Sequence, residues 1–178
     1  MKPATLIAVA ASFAAGAVFA LAAADAAARA AGAPAPSVYT NDVYGFSIIP
    51  PAFPKAEKTA GGQAAMFFAP VRKAFADNLN VVVQATKLSI DEYVELSKGQ
   101  FKQFDFKLTS EKRMKVSGRE AALFEYEGQT QGRDMKWMAL AVADGERIFL
   151  ATGTAAAEDY DSVSKEFKAS LESFKLPD

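Results

Sequence analysis

The run Arg133–Val142 constrains the fold more than any other stretch of the chain. Met135, Trp137, Ala139 and Ala141 alternate with Met138, Leu140 and Val142, so apolar side chains stand at both parities of one strand-length segment. Successive side chains of a strand point to opposite sides of its sheet. A strand that is apolar on both sides needs cover on both sides, which places it inside a sheet with a layer above and a layer below. The flanking turns say how the sheet is connected. Asp144-Gly145, a strong hairpin signal, leads into Glu146–Thr154. Upstream, Arg119–Glu127 is joined across a Gly128–Gly132 loop, and Lys107–Val116 is joined across Ser117-Gly118. Connections this short make neighbours antiparallel.

Three further strands are expected before these. Phe46–Ile49 is stopped by Pro50-Pro51, Ala64–Ala69 follows the turn signal Gly61-Gly62, and Leu79–Lys87 carries the β-branched trio Val81, Val82 and Val83. Between the two groups, Ser89-Ile90-Asp91-Glu92 has the form of a capping box. The helix after it places Ile90, Tyr93, Val94, Ser97, Phe101 and Phe104 on one face. A second helix is expected from about Ala155 to Phe174, with Tyr160, Val163, Phe167, Ser170, Leu171 and Phe174 on its apolar face. Three strands, a helix, four strands and a helix make an α+β domain. Its simplest packing is an α-β-α sandwich around a central antiparallel sheet.

The first thirty residues read differently. Lys2 precedes an uncharged apolar run from Leu6 to Leu21, and small-x-small sites follow at Ala22–Ala24, Ala24–Ala26 and Ala28–Ala30. That is the pattern of a cleaved signal peptide. The rival reading, a retained anchor, asks a short and alanine-rich run to span a bilayer. Residues 1–30 are therefore expected to be removed, residues 31–38 with Pro34 and Pro36 to form a linker, and residues 39–178 to form a single domain that does not insert stably in a membrane.

Two absences narrow the chemistry. The chain has no cysteine and no histidine, so it lacks thiolate nucleophiles, disulfides and the commonest general base and zinc ligand. With 20 basic and 21 acidic residues and no long block of one sign, it carries no nucleic-acid footprint. No cofactor is expected. Asp91, Glu92 and Glu95, and likewise Glu158, Asp159 and Asp161, could be read as hard-cation ligands; acidic residues at a helix start are the simpler explanation. Candidates for an interaction surface are Arg72, Lys73 and Phe75 in the Pro70–Asn78 loop, and the basic run Lys112, Arg113 and Lys115. Phe75 could stand out as a binding tip or fold back to plug the core. The basic run could receive an acidic partner or serve to discourage edge pairing.

Several local patterns together resemble the PsbP-like superfamily, which includes exported bacterial proteins of the DUF1795 and DcrB type. They are Tyr44-Gly45-Phe46-Ser47-Ile48 followed by Pro50, the helix start Leu88–Tyr93, Gly118-Arg119-Glu120-Ala121 before Phe124-Glu125-Tyr126, and Thr152-Gly153-Thr154-Ala155 leading to Ser170–Phe174. The resemblance covers essentially the whole chain after the leader and implies the same α-β-α sandwich. It implies little about activity, because the superfamily mixes photosystem accessory subunits, a nuclear-transport partner and uncharacterised exported proteins. Metal sites proposed for photosynthetic members use histidine, so none is carried over. The expectation is a periplasmic or secreted, non-catalytic accessory or binding module with an envelope or extracellular protein partner. The alternative is a carrier of a small apolar ligand between helix and sheet, suggested by 14 phenylalanines.

Overall fold

The computed structural model describes residues 37–55 and 62–177. The leader, most of the linker and the expected turn at Gly61 lie outside the described residues. Eight strands and two helices follow in the order β1 (Tyr39–Asn41), β2 (Phe46–Ile48), β3 (Gln63–Phe68), β4 (Asn78–Ala85), α1 (Ile90–Gln103), β5 (Lys107–Val116), β6 (Arg119–Thr130), β7 (Arg133–Asp144), β8 (Arg147–Ala156) and α2 (Tyr160–Glu172). The chain is an α+β sandwich. Its main sheet has the strand order β3-β4-β8-β7-β6-β5 and every neighbour pair is antiparallel.

Strand β7 sits inside the sheet, and its two parities enter two different cores. Met138, Leu140 and Val142 join Phe149, Val163, Phe167 and Leu171 under α2. Met135, Trp137, Ala139 and Ala141 join Tyr93, Val94, Phe101 and Tyr126 under α1. The β1–β2 hairpin was expected as one strand. It lies in the α2 layer, where Phe46 stacks on Phe174 with ring centroids 5.3 Å apart. Ser47 and Lys175 exchange two backbone hydrogen bonds of 2.9 Å, which fastens the chain end beside the hairpin.

Helix α1 begins with the capping box. Ser89 Oγ accepts from the Glu92 N–H at 3.3 Å, and Glu92 Oε2 accepts from the Ser89 N–H at 2.8 Å. Its end departs from the apolar period. Asp105 takes a left-handed φ of 57°, and the Phe106 N–H donates to the Phe101 carbonyl at 2.7 Å. This six-to-one closure is the Schellman arrangement, here with aspartate in the place usually held by glycine. The closure turns Phe104 outward, 44% exposed, so Phe104 does not belong to the buried stripe. Phe106 turns inward instead and lies on Gly128, where any Cβ would overlap its ring. Gly128 is consequently part of β6, and the expected five-residue loop shrinks to Gln131-Gly132, both at positive φ.

Helix α2 starts later than its alanines suggest. Ala155 and Ala156 pair with Lys136 and Met135 of β7, so β8 continues through them and the helix begins at Tyr160. The expected apolar face is otherwise present: Tyr160, Val163, Phe167, Ser170 and Leu171 are buried, and Phe174 is buried just past the helix end.

Candidate interaction surfaces

The Pro70–Asn78 loop folds back on the body. Arg72 and Phe75 exchange two backbone hydrogen bonds, of 2.7 and 2.8 Å, around Lys73 and Ala74, which both have positive φ. The base of the loop is closed by the Ala69 N–H donating to the Asp77 carbonyl at 2.8 Å. Arg133 then clamps the tip: its guanidinium donates to the Lys73 carbonyl at 2.9 Å and lies 5.7 Å from the Phe75 ring centre. Phe75 is half-buried against the α1-side core, so it packs inward rather than standing as a free tip. Lys73 remains largely exposed and pairs with Glu158 at 3.1 Å. Arg72 bonds Asp77 at 2.9 Å, and Asp77 is only 4% exposed. Burial outweighs that ion pair and pushes the Asp77 carboxyl above its ordinary range.

The basic run lies on β5, an edge of the sheet, away from this loop. Strand alternation divides it. Lys112 is paired with Leu123, an α2-side core residue, and shares that face. Arg113 points to the α1 side, where it meets Asp91 at 3.0 Å, Glu111 at 3.4 Å and the Ile90 carbonyl at 3.4 Å. Lys115 shares the Arg113 parity and pairs with Glu120 at 3.0 Å. Three adjacent cations in sequence therefore do not form one patch. The acidic group at the start of α1 is occupied in the same way: Asp91 by Arg113, Glu92 by the cap, and Glu95 by Lys98 at 3.1 Å.

A cleft of about 120 Å³ lies beside Tyr160 at the start of α2; Thr109, Glu125, Glu127 and Lys136 also contribute to its walls. The Tyr160 hydroxyl donates to Glu125 at 3.3 Å, and Lys136 Nζ lies 5.6 Å from the Tyr160 ring centre. Burial first, then the Glu125 charge, pushes the Tyr160 hydroxyl upward, so it stays protonated as a donor. A drug-sized ligand needs roughly 300–1,000 Å³, so this cleft suits a side chain or a small polar group. No sequence signal marked it, because its residues come from β5, β6, β7 and α2 and meet only through the strand register.

The aromatic rings largely face one another. Phe101 stacks on Tyr126 at 4.4 Å, Tyr126 on Trp137 at 5.1 Å, and Phe106 lies 5.1 Å from Trp137. Seven phenylalanines, at 46, 67, 101, 124, 149, 167 and 174, are buried in the two cores. Much of the phenylalanine content thus has a packing role in the two layers.

The fold, two helices packed on an antiparallel sheet, is PsbP-like. Among solved structures, it is similar to LpqN of Mycobacterium tuberculosis, involved in cell envelope biogenesis, with TM-score 0.62 and 9% identity over 79% of this chain and 90% of that one. It is also similar to the cyanobacterial PsbP (CyanoP) of Synechocystis, with TM-score 0.56 and 14% identity over 82% and 96%. A Pseudomonas aeruginosa protein of unknown function matches with TM-score 0.56 and 19% identity over 64% and 81%. At such identities the likeness is one of fold. No family model and no curated protein matches the chain.

Proposed function

We propose that this chain is a non-catalytic accessory module, exported to the periplasm or beyond the cell, that acts through protein–protein contacts. The observation that carries the reading is the fold it shares with LpqN, a protein involved in cell envelope biogenesis. The expected signal peptide and the lack of histidine and cysteine support it. Among the described residues no helix is long and apolar enough to cross a membrane. Within the PsbP-like proteins, the exported DUF1795 and DcrB type is the group it fits by its local patterns. Its contact surface includes the exposed cations of the two candidate regions. Lys73 lies on the clamped loop and Lys112 on the sheet edge, and both are exposed.

The test is site-specific photocrosslinking in intact cells with probes at positions 73, 112 and, as a control on the outer side of α2, 168. A discrete protein adduct from 73 or 112 and none from 168 is expected. No adduct at any position, together with turnover in a substrate screen, refutes the reading. Mass spectrometry of the exported form should show a start between Asp25 and Ala31; an intact Met1 in the membrane pellet refutes the processing.

A further inference from the structure

Strand β4 has two unlike faces. Leu79 and Val81 enter the α2-side core, whereas Asn78, Asn80 and Gln84 alternate with them and face the α1 layer. The stripe continues across the ladder: Thr152 of β8 is paired with Asn80, and Thr154 with Asn78. Thr152 shares the parity of Ile148 and Leu150, which belong to the α1-side core. Asn80 and Thr152 are each 1% exposed. Gln84 reaches the hydroxyl of Tyr93 on α1. Asn80 Oδ1 and Thr152 Oγ1, like the Tyr93 hydroxyl where it meets Gln84, are buried with no hydrogen bond of good geometry among the described residues.

Native interiors leave very few such atoms bare, because a buried polar atom without a partner carries the whole cost of its desolvation. Residues directly opposite on antiparallel strands have Cβ atoms about 4.5–5.5 Å apart, so the Asn80 and Thr152 side chains stand side by side on the α1-facing side of the sheet. Ala139 of β7 is the other ladder neighbour of Thr152 and belongs to the α1-side core. Asn80, Thr152 and Ala139 carry no charge to match an ionic guest.

We infer that Asn80 and Thr152 bind a buried, neutral guest of about water size, which donates to Asn80 Oδ1 and exchanges a hydrogen bond with the Thr152 hydroxyl. Water has this chemistry, and folded proteins hold about one buried water per 27 residues, typically on otherwise unsatisfied groups. The hydroxyl of a small organic molecule offers the same pair of bonds.

A crystal structure of the whole folded domain at about 1.5 Å resolution tests this. A density peak within about 3.2 Å of both atoms is expected. An isolated spherical peak identifies water, and density continuing into carbon identifies an organic hydroxyl; both support the site. Thr152→Ser should keep the peak, and Thr152→Val should lose it and lower the melting temperature, since Asn80 then stays unsatisfied. In solution, a water–protein NOE at the Asn80 side-chain amide should be present in wild type and in the Ser variant. If the Val variant fails to fold, the wild-type and Ser maps decide. Direct bonding of Asn80 to Thr152 with no peak between them overturns the inference, as does a Val variant with undiminished stability.

Discussion

Phe167 and Gly153 form a contact whose energy follows from the geometry. Phe167 is fully buried, and its ring lies on the bare backbone of Gly153: a Cβ there would stand 2.6 Å from the ring Cγ. Phe53 meets the same ring edge-on at 6.3 Å. Burying a phenylalanine is worth about 1.5–3 kcal/mol of transfer, and truncation adds the cost of the cavity, so Phe167→Ala should cost about 3–5 kcal/mol. Total stability for such a domain is about 5–15 kcal/mol. At about 3–5 °C per kcal/mol for this size, the melting temperature should fall by about 9–25 °C. Gly153→Ala drives a methyl into the ring and should cost about 1–3 kcal/mol. In the Phe167→Ala background that methyl meets empty space, so the double variant should be more stable than the sum of the single costs, by about 0.5–3 kcal/mol. Urea and thermal unfolding of the four species measure the cycle. Lys168→Ala, on the exposed side of the same helix, is the control and should stay within about 0.5 kcal/mol. Additive costs, or a loss below about 1 kcal/mol for Phe167→Ala, would mean that α2 does not rest on β8 through this ring.

Ser89→Ala removes the cap of α1 and should cost about 1 kcal/mol in urea unfolding; an unchanged midpoint refutes the role of the capping box. Asp77 and Asp144 should give opposite pH signatures. Asp77 has its folded value raised, so its contribution is most favourable in acid and is lost as pH rises through that value. Asp77→Asn should therefore match or exceed wild-type stability at pH 7, and a large loss there refutes the dominance of burial over the Arg72 pair. Arg119 above all, then Arg147, holds the Asp144 carboxyl below its usual range, at 2.7 and 2.8 Å. Its contribution is present above the ordinary aspartate value and disappears as pH falls below about 4; Asp144→Asn should destabilise at pH 7 and lose that effect near pH 2. Charge reversal on β5 should split by parity. Arg113→Glu opposes Asp91 and Glu111 and should lower stability, whereas Lys112→Glu should leave stability unchanged and weaken crosslinking to a partner; equal effects on stability refute the division of the run.

Local causes were readable in the residues, and non-local ones were not. The two-sided periodicity of Arg133–Val142 reports burial on both faces directly, because strand alternation maps sequence parity onto the two cores. The Ser89–Glu92 box is equally local, since both bonds close within one turn. The end of α1 is different. The apolar period runs on through Phe104, and no glycine stops it; what stops it is Asp105 at positive φ, favoured because Phe106 then gains a seat on Gly128 of β6. That seat exists only once the sheet is assembled. Ala155-Ala156 follow the same logic: alanine favours helix, but pairing with Lys136 and Met135 keeps them in the ladder. The basic run divides between two faces for a reason that was readable in principle, because a strand sends neighbours 112 and 113 to opposite faces. The Asn80–Thr152 pair was not readable, since the amide and the hydroxyl lie in separate strands and only the register of β4 on β8 sets them opposite each other. Polar residues of this kind look like ordinary strand surface until both faces are known to be covered, and then their lack of partners is what separates a binding volume from core.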